Sequence, residues 1–134
     1  MADSLFLEVV TPQKAVVSEE AQIVVAPGSE GEFGVLKGHT TFLTSLKIGC
    51  LRYNDASGKE RRVFINQGFA EVLPDKVTVL AESADRRKDI DVQRSEQAKA
   101  RAEKRLADKS ENVDIARAEA ALMRAVQRIA MAKA

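Results

Sequence analysis

Hydrophobic and polar positions alternate with period two over roughly the first 84 residues, then switch to a helical period. The runs LFLEVVT, QIVVAP, FLTSLKIGCLRY, RRVFINQGFAEVL and KVTVLAE are rich in Val, Ile, Leu, Phe and Thr, and PGSEG, NDASGKE and PDK lie between them as turn formers. In KVTVLAE, Val77, Val79 and Ala81 fall on one face and Lys76, Thr78, Leu80 and Glu82 on the other. The spacing predicts strands joined by short connections. NDASGKE, between Tyr53 and Arg61, is expected to close a hairpin, and PDK a tight turn with Pro74 at its second position. Many short strands at close spacing predict a sandwich or small barrel.

From Asp89 onward there is neither Gly nor Pro, and Ala is the commonest residue. DIDVQRSEQAKARAEKRLADK and NVDIARAEAALMRAVQRIAMAKA are predicted helices, with Asp89 and Asn112 as expected N-caps. The polar link DKSEN is short enough to fold them back as a hairpin. In the second helix Ile115, Ala118, Leu122, Ala125 and Ile129 make an apolar stripe; the first offers only Ala98, Ala102 and Leu106. Alanines bury little area, so this half is expected to depend on docking. The expected fold class is α+β: an N-terminal antiparallel β-sandwich over 1–84, then a C-terminal two-helix antiparallel hairpin over 85–134.

Charge sharpens this division. The net charge is +1, but residues 1–84 hold 8 Lys/Arg against 11 Asp/Glu, and residues 85–134 hold 13 against 9. Without a strong overall charge, a basic patch with interleaved aromatics or any Trp, no nucleic-acid partner is expected. One cysteine, Cys50, excludes a disulfide framework, and its apolar alternating setting marks it as a packing residue. MADSLFLEVV lacks the basic start and long apolar core of a signal peptide, and no apolar run reaches the ~20 residues that span a bilayer.

The stretch APGSEGEFGVLKGHTTFL gathers Gly28, Gly31, Gly34, Lys37 and the only histidine, His39. It is no phosphate loop: Lys37 is followed by Gly38 rather than Ser or Thr, no helical pattern follows, and the glycine spacing is not GxGxxG. The three glycines are expected to serve positive-φ backbone between strands. His39 has no second histidine for a metal site or obvious acid partner for nucleophilic catalysis, so a loop-ordering hydrogen bond is the expectation. Glu30 and Glu32 are expected to be surface charges on a solvated turn, which a docking site can use.

APGSEGEFGVLKGHTTFLTSLKIGCLR, FINQGFAEVLPDKVTVLAESA and DIDVQRSEQAKARAEKRL, in that order and spacing, resemble successive segments of the epsilon subunit of bacterial F-type ATP synthases. The likeness covers essentially the whole chain. Its departures are Lys37 and Thr41, where the family commonly has proline, and Gln67-Gly68, where it commonly has Gly-Gly. The resemblance implies a ten-stranded sandwich and a helical hairpin. It also implies a non-catalytic central-rotor subunit that clasps gamma, rests beside the c-subunit ring, and couples ring rotation to the catalytic head. Glu32, with His39 nearby, would be the partner contact at the ring. No cofactor would be required. The membrane would be met only through the complex, at the cytoplasmic face of the bacterial plasma membrane.

The hairpin carries Asp91, Arg94, Ala98, Arg101 and Arg105 at three-four spacing on one helix, and Arg117, Arg124 and Arg128 on the other. Crowded guanidiniums repel unless an anion sits among them. The resemblance implies two anions. One is the acidic loop of a catalytic beta subunit in the alpha/beta head, met when the hairpin extends and inhibits ATP hydrolysis. The other is regulatory ATP, bound in some relatives through I-D-x-x-R-A, which appears here as Ile90, Asp91 and Arg94 with Ser95 for the alanine. Arg101, Arg124 and Arg128 match the other arginines of that site, and Asp85 a supporting carboxylate. The rival readings are an enzyme built on the glycine-rich loop and an adaptor of an unrelated complex.

Overall fold

The computed structural model describes residues 4–108 and 113–134. Seven strands come first: β1 (Leu5–Val10), β2 (Ala15–Gly28), β3 (Gly31–Val35), β4 (Phe42–Leu46), β5 (Gly49–Asp55), β6 (Glu60–Leu73) and β7 (Lys76–Arg86). A single 3-10 turn, Arg87–Asp89, precedes the helices α1 (Val92–Ala107) and α2 (Ile115–Lys133). The chain divides into two units between Arg87 and Lys88, so β7 carries the sheet two residues past Ala84.

All strand pairings are antiparallel except β1 with β7. β1 pairs with β2 and β7, β7 with β6, β6 with β5, and β5 with β2, so the sandwich closes on itself around one core. β4 joins β6, and β3 lies outside β2. Leu5, Leu7 and Val9 of β1 meet Val24, Leu51, Val63, Val72, Val77 and Val79 in that core, each at most 1% exposed. Fully burying such a side chain contributes roughly 1.5–3 kcal/mol, which makes the period-two pattern decisive.

The resemblance implied ten strands; the described residues carry seven, three of them long: β2, β6 and β7. Each reverses the parity of its inward residues midway: Val17 and Ala21 give way to Val24 and Ala26 in β2, Val63 and Ile65 to Ala70 and Val72 in β6, and Val77 and Val79 to Ala84 in β7. In β2 the change coincides with a register slip against β5 between Ala21 and Ile23. In β6 it falls at Gln67 (φ 57°) and Gly68 (φ 154°), where the partner changes from β5 to β4. A regular strand would have turned every later apolar residue to solvent.

The connections follow the sequence in part. Leu73 pairs with Lys76 around Pro74-Asp75, the tight turn expected. Asp55 organises the β5–β6 hairpin by accepting from the Ser57 and Lys59 amides, the Ser57 hydroxyl and Arg61 Nε. QIVVAP proves to be the end of a 14-residue strand whose polar Ser18-Glu19-Glu20 segment hid it. FLTSLKIGCLRY is two strands, interrupted where the Lys47 amide donates to the Pro27 carbonyl. Of Gly28, Gly31 and Gly34, only Gly31 has positive φ; Gly28 and Gly34 are ladder positions of β2 and β3.

Both helix caps differ from expectation. Asp91, not Asp89, caps α1: its carboxylate accepts from the Arg94 amide at 3.0 Å, while Asp89 belongs to the 3-10 turn. Asn112 lies outside the described residues, as does most of the DKSEN link, and Asp114 caps α2 through the Arg117 amide at 3.1 Å. In both cases the carboxylate sits one residue before the first helical position, where it satisfies an orphan amide. Ala102, Ala118 and Ala125 are buried as the stripes predict, but so are Ser95 and Met131, and Ile115 is exposed. Lys133 pairs with Glu96 at 3.5 Å, confirming the antiparallel hairpin.

Candidate functional site

Two features of the sandwich and one of the hairpin are candidates for function. The first is the outer face of β4, β6 and β7. The ladder sets Phe69 opposite Leu80, and Leu80 opposite Val10 of β1, so the three form a row across neighbouring strands. Leu43 stands one row away, opposite Glu71. Phe69 and Leu80 are each 56% exposed and Leu43 71%, on a face that should be polar if only water covered it. Leu80 faces away from Val77, Val79 and Ala81, as its period-two position predicts.

The second is the glycine-rich segment. Glu32 lies on β3 opposite Pro27, and its carboxylate receives both terminal nitrogens of Arg52 from β5, at 2.9 and 3.2 Å. Glu32 is therefore a paired strand residue rather than a free charge on a turn. His39 Nδ1 lies 2.7 Å from the Thr40 carbonyl, which can only accept, so this nitrogen carries the proton. The ring also packs against Phe42 at 5.3 Å, and the His39 amide donates to Leu36. These contacts order the loop, as expected. Cys50 is half-buried, and burial pushes its thiol up, with Arg62 and Arg52 pulling the other way. A raised thiol is a poor nucleophile.

The third is the arginine set. Asp91, Arg94 and Arg101 belong to α1, and Arg124 and Arg128 to α2. Counting back from the Glu96–Lys133 pair, Arg101 stands level with Arg128 and Arg105 with Arg124 along the antiparallel helices. Arg94 and Arg101 are exposed; Arg124 and Arg128 are half-buried. The guanidiniums of Arg94, Arg101 and Arg124 make no ion pair among the described residues. Asp85 lies on β7, in the other unit, opposite Phe64.

Sequence reasoning missed Arg52, the Leu43–Phe69 part of the apolar face, and a polar cluster of Glu19, Tyr53 and Arg86. Arg52 alternates outward beside Cys50 and Asn54 like any surface residue. Only the order β3–β2–β5 brings it to Glu32. Leu43 and Phe69 are apolar residues on the outward parity of their strands, a signal hidden for Leu43 by the run FLTSLKIGCLRY, which joins two strands, and for Phe69 by the parity change at Gln67-Gly68.

Comparison with known proteins agrees with the order of the sandwich and the helices. The ATP synthase, Delta/Epsilon chain, beta-sandwich domain matches residues 4–87, and the ATP synthase, Delta/Epsilon chain, long alpha-helix domain matches residues 88–133. The ATP synthase epsilon chain of Desulforapulum autotrophicum is 76% identical over 107 residues, covering 80% of this chain and 79% of the relative. That of Desulfosudis oleivorans is 64% identical over 106 residues, covering 79% and 80%. Among solved structures, a chain of the Euglena gracilis mitochondrial ATP synthase, described as OSCP/F1/c-ring in rotational state 1, superposes with a TM-score of 0.83 at 26% identity, over 95% of this chain and 80% of that one. A chain of the Tetrahymena thermophila mitochondrial ATP synthase central stalk and c-ring shares the fold, with a TM-score of 0.64 at 14% identity over 96% of both chains. A sandwich followed by a helical hairpin, each matched by its own family segment in the same order, means that the chain belongs to the ATP synthase delta/epsilon chain family.

Proposed function

We propose that this chain is a non-catalytic subunit of the central rotor of a proton-translocating F-type ATP synthase, coupling rotation of the c-subunit ring to the catalytic head. The observation that carries this reading is the row of Phe69, Leu80 and Val10 with Leu43 beside it. A sheet face that exposes large apolar side chains is built to be covered, and gamma is the partner assigned to it here. Glu32 and His39, on the segment next to β4, are assigned to the polar loops of the ring. Among the described residues no helix is long and apolar enough to cross a membrane, and the proposed placement is peripheral, through the complex, on the cytoplasmic side of the bacterial plasma membrane. The test is co-purification with gamma and the alpha/beta head. Phe69→Glu with Leu80→Glu should abolish it while the isolated chain still folds, since both side chains are exposed. Undiminished recovery of gamma would reject the assignment.

A second reading concerns regulation. Arg94, Arg101, Arg124 and Arg128 suit a polyphosphate, and Asp91 keeps one carboxylate oxygen beyond the one that caps α1. These residues fit a nucleotide, whose triphosphate would supply an anion to Arg94, Arg101 and Arg124, which make no ion pair among the described residues. Asp85, in the other unit, is left out of this set. Bound ATP would favour the folded hairpin by its differential affinity, and at low ATP the hairpin would extend toward the beta subunit's acidic loop and restrain hydrolysis. Equilibrium dialysis should show saturable ATP binding that Arg94→Ala weakens; no saturation at millimolar ATP would end this reading. Removal of residues 89–134 should raise ATPase activity of the assembled head, and an unchanged rate would argue against inhibition.

A further inference from the structure

Arg52 holds Glu32 in a way that the backbone does not. β3 is an edge strand paired only with β2, and the residue opposite Glu32 is Pro27, which has no N–H to offer. The Glu32 side chain is 51% exposed and has no other polar partner among the described contacts. Arg52 reaches it across β2, where Arg52 is registered with Val25 and Glu32 with Pro27. Two nearly parallel N–H···O bonds fix the carboxylate plane and offset most of its charge.

We propose that Arg52 is the positioning residue for Glu32, so that Glu32 meets its partner as one oriented half of an ion pair and not as a bare, freely turning carboxylate. This rests on the reading that Glu32 touches the ring. The partner chemistry that fits is neutral and polar: hydroxyls and amides able to donate to an already paired carboxylate, with little dependence on a cation. Arg52 does little for folding, because half-exposed ion pairs contribute little to stability. Its role is therefore separable from structure.

The test uses the whole complex in membrane vesicles and reads proton pumping per ATP hydrolysed, beside thermal unfolding of each isolated variant. Glu32→Gln should lower the pumping ratio by about two- to fivefold, the range an exposed ion pair supports. Arg52→Ala should do the same with little change in melting. Arg52→Lys should recover part of the loss, since lysine keeps the charge without the planar fork. The double variant Glu32→Gln/Arg52→Ala should be no worse than either single one. If Glu32→Gln changes nothing, the ring contact itself is wrong and the proposal falls with it. If Glu32→Gln lowers the ratio but Arg52→Ala does not, or the two losses multiply, Glu32 keeps its contact and Arg52 is not its positioning residue.

Discussion

The Tyr53 phenol donates to the Glu19 carboxylate at 2.5 Å. Glu19 also meets Arg86 at 3.6 Å, and Arg86 Nε donates to the Val16 carbonyl at 2.9 Å. Four residues of β2, β5 and β7 thus pin the last residue of the sheet before the chain enters the helical unit. Burial, and then the bond to Glu19, push the phenol up to about 12, with Arg86 opposing.

Tyr53 is the only tyrosine, so its titration can be read directly by ultraviolet absorbance. The phenol should ionise near pH 12 in the folded protein and near pH 10 once unfolded. The fold keeps the neutral form, so the stabilisation is whole below about pH 10 and is lost as pH rises through about 12. Tyr53→Phe should remove this alkaline dependence and cost about 1.5–3 kcal/mol at neutral pH, as for a hydrogen bond to a charged group. A phenol titrating near 10 in the native state would contradict the geometry.

Gln67-Gly68 should respond asymmetrically to substitution. A Cβ on Gly68 would lie 2.0 Å from the Leu80 carbonyl oxygen and 2.9 Å from the Ala81 Cα, both backbone atoms of the neighbouring strand. Gly68→Ala should therefore cost about 3 kcal/mol or more, or prevent folding. Gln67 holds φ 57°, a strain that glycine lacks. Gln67→Gly should be neutral or stabilising by less than about 1 kcal/mol, the relief being offset by a more flexible unfolded chain. Urea unfolding of both variants measures the contrast.

Asp55 should make the fold acid-sensitive. The Ser57 hydroxyl and Arg61, followed by the Lys59 and Ser57 amides, hold its carboxyl well below the usual carboxylate range. A depressed folded value means the stabilisation is complete above the unfolded value near 4 and declines as pH falls below it. The advantage of wild type over Asp55→Ala should be constant above about pH 5 and shrink in more acid solution. An advantage that grows on acidification would be inconsistent with this hairpin.

Asp91 invites a variant that separates capping from ligand binding. Asp91→Ala should lower the helix content of α1 and cost about 1 kcal/mol, because the Arg94 amide loses its acceptor. Asp91→Asn should keep the cap, asparagine being an equally good N-cap, while removing the charge. Far-ultraviolet circular dichroism should distinguish the two. If Asp91 serves only the helix, ATP affinity will be the same in wild type and Asp91→Asn.

The amino-acid sequence by itself determined the α+β organisation and its order, because side-chain period is a local property of strand and helix. It placed Val77, Val79 and Ala81 inside and Leu80 outside, and found the Pro74 turn and the Asp55 hairpin. It put both helix starts two residues early, since Asp89 and Asn112 are as good caps in isolation as Asp91 and Asp114. Tertiary structure decided what depends on register between distant segments. It kept β2, β6 and β7 continuous through their parity changes. It joined Arg52 to Glu32 across an intervening strand and gathered Phe69, Leu80 and Val10 into one row. Each of these is a cross-strand relation between residues far apart in the chain, fixed by which strands pair and in which register, and no local pattern of hydrophobic and polar residues carries that information.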